Sequence, residues 1–185
     1  KSNYHLLPVL RRYQCRITIF IVGGLVNTDR RIWNFVKDLS DDENRWLKAQ
    51  PNEKKNQYLE EVHDHHPEKE YYERSVLNLT EIVTMMPYVD FQSHTMFHPL
   101  LSKCSNSELI YELSASKKRI SQIIGDEVYA IAYPYGDAGQ RERQAAHAAG
   151  YQIGRVSGSP GLNRLEDSDP MALQAITVGA KSSTE

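Results

Sequence analysis

Features that mark several classes of protein are scarce in this sequence of 185 residues. Basic and acidic residues nearly balance, 22 against 24, and leave a formal net charge of -2. Proteins that bind DNA or RNA usually carry a concentrated basic patch, so nucleic acid is not an expected partner. Apolar residues make up 40% and charged residues 25% of the chain, which is the balance of a folded globular protein rather than a disordered one.

Cysteines and long apolar runs are also few. Cys15 and Cys104 are the two cysteines and lie far apart, which argues against a disulfide framework or a zinc ribbon and predicts buried thiols. The longest apolar run, residues 17–26, is shorter than the ~20 residues that cross a bilayer, so no transmembrane segment is expected. The residues before it do not have the pattern of a secretory signal, so none is expected in this stretch. The pattern of the first residues is typical of the interior of a domain rather than its start, so we expect an upstream portion to be missing.

Strand-like and helix-like segments alternate along the chain. Runs of β-branched and aromatic residues without polar alternation predict buried strands at 16–22, 88–93, 128–133, 151–156 and 175–178. Helical patterns fall at 4–12, 78–83, 105–124 and 141–149. Ser105 and Glu108 suit the start of the longest helix, and Gly125 suits its end. The alternation predicts a single α/β domain over residues 1–185 with parallel strand pairing.

Residues 27–76 interrupt this alternation with a segment rich in charged and amide side chains. Apolar residues near its start, from Trp33 to Leu39, have roughly helical spacing, and Pro51 stands where a helix would begin. We interpret this segment as a helical insertion within the domain.

The chemistry-bearing segment with the strongest signal is Ser93-His94-Thr95-Met96-Phe97-His98-Pro99. His94 and His98 can converge on one metal if the backbone between them turns, although the spacing by itself is equally compatible with a capping or core role. Both histidines follow a predicted strand directly, and sites in parallel α/β folds collect at the carboxyl ends of strands. We therefore expect the two imidazoles to face one cleft.

A second segment, Tyr133-Pro134-Tyr135-Gly136-Asp137, also follows a predicted strand. Pro134 and Gly136 favour a sharp turn that can aim the N–H of Tyr135 into a cleft as an oxyanion donor. A plain strand-to-helix turn with Tyr135 packed on the core is the simpler interpretation. Asp137 either touches a substrate hydroxyl or caps the next helix.

Together these two segments resemble the polysaccharide deacetylase family, carbohydrate esterase family four. Residues 93–99 match its Ser-His-Thr-x-x-His metal motif, and residues 133–136 match its Pro-Tyr-Gly motif. Residues 108–118 are similar to its Glu-Leu-x-x-Ser-Lys helix, and 8–22 to the stretch before its first long loop. The insertion at 27–76 is similar to one in members linked to bacterial surface polysaccharide synthesis.

The resemblance implies a distorted (β/α) barrel of about seven parallel strands. It implies hydrolysis of N-acetyl groups on the amino sugars of a polysaccharide. One divalent metal, zinc by preference, would be held by His94 and His98, and the N–H of Tyr135 would stabilise the oxyanion. Tyr133, Pro134, Tyr135 and Asp137 would border the substrate, an N-acetylated oligosaccharide or polysaccharide.

Departures from the family pattern qualify that expectation. The family has an Asp-Asp pair just upstream of the segment that matches residues 1–4, one Asp binding the metal and one acting as base, and this chain has neither. Ala132 stands where the family often has Arg. The late Leu-x-x-His that supplies a general acid reads Leu173-Gln174-Ala175-Ile176 here. We therefore expect this chain alone to be almost inactive and to hold a metal weakly.

Alternatives remain for the function and for several other residues. A non-catalytic carbohydrate-binding or scaffolding protein on the same fold, or a related C–N hydrolase of small amides, fits the same motifs. His63, His65 and His66 lie in a charged stretch that predicts a solvated surface rather than a metal site. His147 is expected to have a surface or packing role. Trp33 and Trp46 suit helix packing better than a sugar site.

Overall fold

The computed structural model describes residues 2–157, 163–164, 166 and 168–176. Within them four strands form one parallel sheet in the order β1-β2-β3-β4. The strands are β1 (Ile17–Ile21), β2 (Val89–Ser93), β3 (Ala130–Ala132) and β4 (Ile153–Arg155). The predicted α/β class with parallel pairing is confirmed. The described part of the chain contributes four strands to an open sheet, against the seven of the predicted barrel.

In the part of the chain that the structure describes, six α-helices and five short 3-10 segments precede, connect or follow the strands. The α-helices are α1 (Leu7–Tyr13), α2 (Asp41–Ala49), α3 (Asn52–His63), α4 (Leu79–Met85), α5 (Asn106–Ile124) and α6 (Gln140–Ala148). The 3-10 segments are Ser2–Leu6, Trp33–Phe35, Leu101–Lys103, Pro134–Gly136 and Pro170–Ala172. None of the described helices is both long enough and apolar enough to cross a membrane.

Local signals fix the ends of α5 as the sequence predicts. The Ser105 hydroxyl accepts the N–H of Glu108, and the Glu108 carboxylate accepts the N–H of Ser105 in return, which forms a capping box. Gly125 ends the helix with φ of 69°, in the left-handed region where a side chain is disfavoured. The long helix between β2 and β3 is therefore positioned at both ends by its own sequence.

The fifth predicted strand, at 175–178, is not formed in its described part. Leu173 makes one isolated parallel bridge with Arg155, but Ala175 and Ile176 belong to no strand, and residues 177–178 lie outside the described residues. Ile176 is 68% exposed. A β-branched residue favours a strand when its side chain is covered by neighbours, and this one is not.

Two apolar clusters stabilise the described part of the chain. The main cluster surrounds the sheet and α5, and includes Phe91, Leu109, Leu113, Ile120 and Ile131. The second lies in the segment 27–76 and consists of Trp33, Leu47 and Leu59, with Leu100 and Tyr135 packed against it. Because Leu100 follows β2 and Tyr135 follows β3, this segment packs on the loops at the carboxyl ends of those strands.

The loop after β2 is also joined to the end of β1. The N–H groups of Gly23 and Gly24 donate to the carbonyls of Thr95 and Met96 at 2.9 and 2.8 Å. A Cβ at Gly24 would lie 2.5 Å from Phe97 Cε1 and 2.6 Å from the Met96 oxygen. Glycine is therefore required at this close approach of two backbones.

The two cysteines differ in environment. Cys104 is buried, and burial raises the pKa of its thiol to about 12. Cys15 is exposed, so the prediction of two buried thiols is wrong for this residue. It follows α1 in the turn before β1 begins, and that turn is not covered by the core.

Candidate metal centre

His94 and His98 converge in the loop after β2. Their Nε2 atoms are 3.1 Å apart, and the ring centroids are separated by 4.6 Å with an interplanar angle of 77°. A tetrahedral metal with bonds of ~2.0–2.1 Å places two nitrogen ligands about 3.3 Å apart. The observed separation is close to that value, so the loop presents two donor nitrogens to one point.

The orientation of His94 is set by β3. Its Nδ1 lies 2.6 Å from the carbonyl oxygen of Ala132, which can only accept a hydrogen bond. Nδ1 must therefore carry the proton, and this leaves the lone pair of Nε2 facing His98. A backbone carbonyl that fixes the tautomer in this way is a common partner of a metal-binding histidine.

The orientation of His98 comes from its loop and from the segment 27–76. The His98 N–H donates to Thr95 Oγ1 at 3.0 Å, and its carbonyl accepts from Trp33 Nε1 at 3.3 Å. Thr95 and His98 have φ of 65° and 60°, a conformation that non-glycine residues rarely adopt. Such backbone strain concentrates at functional sites and persists only where the surroundings hold it.

Glu112 of α5 fixes the same loop through hydrogen bonds to its backbone. One carboxylate oxygen, Oε2, accepts the N–H groups of both Met96 and Phe97 at 2.8 Å. The side chain is buried, and burial raises its pKa to about 7, opposed by those two backbone hydrogen bonds. Two of the three residues between the metal-directed histidines are thus fixed by a single acceptor.

Both imidazoles are neutral at physiological pH. Burial lowers the pKa of His94, opposed in part by the hydrogen bond to the Ala132 carbonyl, and the cationic Arg155 adds a smaller lowering effect. Burial and the neighbouring His94 lower the pKa of His98 to about 3. Neutral imidazole is the form that binds a metal, because protonation occupies the ligand lone pair.

His94 and His98 are suited to supply two of the ligands of a metal ion. The Nδ1 of His98 is buried and has no hydrogen-bond partner among the described residues. Nδ1 would carry the proton when Nε2 binds a metal. Within the described part of the chain, no group of three or more His, Cys, Asp or Glu side chains is arranged to hold a metal ion. The two histidines are thus the metal donors that this part supplies.

The turn after β3 lies against His98. The Tyr135 ring centroid is 5.0 Å from that of His98 and 6.3 Å from that of Trp33, and Lys48 Nζ is 4.8 Å from it. Tyr135 has φ of 59° and lies outside β3, so its N–H is not part of the β3–β4 ladder. The predicted neighbourhood of the two motifs is observed.

The other residues of that turn have different environments. Tyr133 is 3% exposed in the main core, and its hydroxyl is buried without a hydrogen-bond partner among the described residues. Pro134 is also buried. Asp137 Oδ2 accepts from the N–H and hydroxyl of Ser102 at 3.0 and 2.6 Å. Asp137 does not cap α6, which begins after Gly139, so that alternative is wrong.

Two cavities lie on either side of the histidine loop. His94 lines one of about 200 Å³, whose other walls are mostly apolar residues of the β1 end and of 75–77. The second, of about 160 Å³, is lined by residues of α3 and α5 together with Trp33, Phe97 and Pro99. The loop residues Phe97 and Pro99 flank His98, so the loop separates the second cavity from the histidine pair.

The remaining histidines take no part in the pair. His147 and His66 are exposed. His65 is 2% exposed, with its Nδ1 2.6 Å from the Tyr71 hydroxyl, so the predicted solvated surface is wrong at this position. The neighbouring residues are charged and therefore predict an exposed ring. The chain folds back at this point, however, and covers the ring. Trp33 is buried in the second cluster, as the packing interpretation predicts, and Trp46 is 41% exposed against Tyr58.

Sequence reasoning missed the buried charged residues Glu112 and Lys55, which lie beside the histidine loop and the second cavity. Both lie on the buried face of their helix: Glu112 between Leu109 and Ser116, Lys55 between Asn52 and Leu59. A charged residue at the inward positions of an amphipathic helix is the signal that would have identified them, because isolated charges are rarely buried.

Comparison with known proteins gives a consistent match. The family model described as polysaccharide deacetylase matches residues 2–154. Among curated protein sequences, none matches this chain significantly. The family model thus indicates the same family as the motifs at residues 93–99 and 133–136.

Solved structures share the fold. A Streptococcus pyogenes deacetylase in complex with acetate superposes with a TM-score of 0.61 at 19% identity, over 92% of this chain and 56% of that one. A de-N-acetylase from Aggregatibacter actinomycetemcomitans gives 0.62 at 14% identity, over 99% and 68%. A Bacillus cereus polysaccharide deacetylase gives 0.50 at 25% identity, over 66% and 41%. This chain thus spans little more than half of the streptococcal enzyme.

Proposed function

Because the chain belongs to the polysaccharide deacetylase family, we propose that it forms part of a metal-dependent site that hydrolyses N-acetyl groups on amino sugars of a polysaccharide. The observation that carries the proposal is the 3.1 Å approach of His94 Nε2 and His98 Nε2 at the carboxyl end of β2. A surface polysaccharide containing N-acetylglucosamine is the substrate class that we propose, with zinc as the metal.

His94 and His98 would hold that metal as neutral ligands. A bound divalent ion supplies a Lewis acid for the acetyl carbonyl and lowers the pKa of a bound water toward ~7. The Ala132 carbonyl keeps the proton of His94 on Nδ1, and Thr95 and Glu112 hold the loop that carries both rings. These residues orient the ligands before any substrate arrives.

The turn at Tyr135 would face the reacting carbonyl. Its N–H is outside the sheet ladder and its ring borders His98, which supports a role as oxyanion donor to the tetrahedral intermediate. Asp137 is the candidate for a substrate hydroxyl, since its other carboxylate oxygen is not used by Ser102. The side chains of Tyr133 and Pro134 are buried and would shape the turn rather than touch the sugar.

A non-catalytic carbohydrate-binding protein is the second candidate. Ala132 at the end of β3 and Ile176 in the Leu173 to Ile176 stretch stand where the family often carries Arg and His, and the described residues bring together only two metal donors. A protein of this kind would bind the polysaccharide and release no acetate.

The test is zinc affinity, measured by competition with a chromophoric chelator, together with acetate release. His94→Ala and His98→Ala are each expected to weaken zinc binding by at least about 10–100-fold, the effect reported for losing even an outer partner of a ligand. His147→Ala, which removes an exposed histidine of α6, is the matched control. Unchanged zinc affinity in both site variants would refute the metal centre.

Acetate release separates the remaining alternatives. N-acetylglucosamine oligomers should be deacetylated by a polysaccharide deacetylase, and simple acetylated amines should not. A hydrolase of small amides would show the opposite preference. Oligosaccharide binding without any acetate release, both by this chain and by one extended upstream, would favour the non-catalytic candidate.

A further inference from the structure

The cavity between α3 and α5 contains a buried ammonium group with unmet hydrogen-bonding capacity. Lys55 is 3% exposed, and among the described residues its Nζ donates to one partner, Asn52 Oδ1, at 2.7 Å. The Trp33 ring also lies near it, with its centroid 4.9 Å from Nζ, and the charges of Glu112 and Glu108 partly balance the ammonium without a hydrogen bond to it among the described residues. A lysine ammonium has three donors, and a buried charge without partners is costly. The side chain lines a cavity in which an acceptor can be placed.

The charges around this cavity favour a neutral polar ligand. Arg31 and Lys55 are basic, and Glu108 and Glu112 are acidic, so neither sign dominates. A small anion would approach two carboxylates, and a cation would approach two basic groups. A ligand that both donates and accepts hydrogen bonds avoids either repulsion, and a polyhydroxylated sugar is such a ligand.

The size and rim of the cavity suit one sugar unit. The cavity measures about 160 Å³, and a single water needs roughly 10–15 Å³, so on the order of ten non-hydrogen atoms can be placed. Tyr111 of α5 lines it and is 50% exposed, which leaves an aromatic surface for packing against a pyranose ring. Asn56 adds an amide group that can recognise a hydroxyl, whereas the Asn52 amide is already bonded to Lys55 and Glu108 and positions them at the cavity.

We propose that this cavity is an additional carbohydrate subsite, which holds a sugar unit of the polymer next to the unit at the histidine pair. The inference rests on the proposed function. The loop 94–99 and Trp33 form the wall between the two places: Phe97 and Pro99 line the cavity, and Trp33 Nε1 donates to the His98 carbonyl. Lys55 donates to a hydroxyl or ring oxygen, and Glu108 accepts from a hydroxyl.

The experiment is isothermal titration of the chain with N-acetylglucosamine pentasaccharides, one series β-1,4-linked and one β-1,6-linked. Lys55→Met is expected to weaken binding about 10–100-fold, as the loss of hydrogen bonds to a charged group implies. Tyr111→Ala should weaken it about 3–10-fold through the lost aromatic contact. Lys54→Met, which removes the exposed neighbouring lysine on α3, is expected to bind as the wild type does.

Thermal unfolding of each variant controls for folding. Tyr111 is at the surface, so its variant tests the subsite even if Lys55→Met fails to fold. Failure of the wild type to bind either series, or binding by both site variants as tight as that of the wild type, would overturn the proposal and leave the cavity as a place for ordered water.

The subsite and the deacetylation activity are tested by different measurements, so either proposal can fail without the other. In the His94→Ala background, Lys55→Met should still reduce pentasaccharide affinity, because the subsite does not require the metal. If neither this chain nor one extended upstream releases acetate but pentasaccharide binding remains sensitive to Lys55, the subsite stands and the catalytic proposal is lost. If acetate is released but Lys55 and Tyr111 have no effect on binding, only the subsite is lost.

Discussion

At the scale of single residues, the histidine pair depends on groups that do not themselves contact a metal. Ala132 contributes only a carbonyl oxygen, which selects the tautomer of His94. Glu112 contributes a carboxylate that holds the N–H groups of Met96 and Phe97. Ligand geometry is therefore set by neighbours on β3 and α5, as is usual for metal-binding histidines.

Substitution of Glu112 should separate its hydrogen-bonding role from its charge. Glu112→Ala leaves two buried N–H groups without their acceptor and is expected to lower the free energy of unfolding by about 2–4 kcal/mol. Glu112→Gln keeps a carbonyl oxygen in place and should cost less. Urea denaturation measures the stability, and chelator competition should show zinc affinity falling in the same order. Equal effects of the two variants would mean that the charge, not the acceptor, holds the loop.

At the scale of elements, the segment 27–76 forms a wall of the site and not merely a surface addition. Its cluster of Trp33, Leu47 and Leu59 packs against Tyr135, and Trp33 holds the His98 carbonyl. The chain reverses after α3 and buries His65 against Tyr71. Stability of this segment should therefore affect the histidine loop.

The burial of His65 predicts an acid-sensitive step in that segment. Desolvation is the largest cause that lowers its pKa, to about 4, against about 6.5 in the unfolded chain. Above pH 6.5 the ring is neutral in both states and has no effect. As the pH falls from about 6.5 to 4, the unfolded chain takes up a proton that the folded chain does not, so stability falls by up to about 3 kcal/mol.

Chemical denaturation at several pH values checks this step. His65→Gln should lose less stability than the wild type between pH 6.5 and 4, and His147→Gln, an exposed site on α6, should behave as the wild type does. His94 and His98 also have lowered pKa values, so the comparison between variants is the informative quantity. Parallel curves for His65→Gln and the wild type would contradict the prediction.

At the scale of the whole molecule, the described residues bring two metal donors together where catalytic zinc sites usually have three protein ligands. We expect residues 1–185 to bind zinc weakly and to release acetate very slowly, since loss of a general base commonly costs ~10²–10⁴ in rate. Chelator competition and an acetate assay on N-acetylglucosamine oligomers measure both quantities. Turnover in the range of typical enzymes would show that a residue within this chain serves as base.

The sequence alone predicted the features that depend on short stretches of chain. The four central strands, the capped start of α5 at Ser105, the stop at Gly125 and both motif loops follow from local composition and spacing. Their cause is local: buried strands need continuous apolar runs, and helix ends need specific side chains within a few residues. The resemblance to the polysaccharide deacetylase family rests on the same short stretches. The family model that matches residues 2–154 confirms it.

Tertiary structure decided the features that depend on contacts distant in sequence. Gly23 and Gly24 directly follow the predicted strand at 16–22, but their N–H groups bond to Thr95 and Met96, more than 70 residues away, and Gly24 closely approaches Phe97. The burial of His65 and the partner of Asp137 likewise come from chain segments that sequence pattern does not place together. Local pattern fixes which elements form. Which side chains meet between them depends on packing, and that packing joins the histidine pair, Glu112 and the cavity at Lys55 into one region.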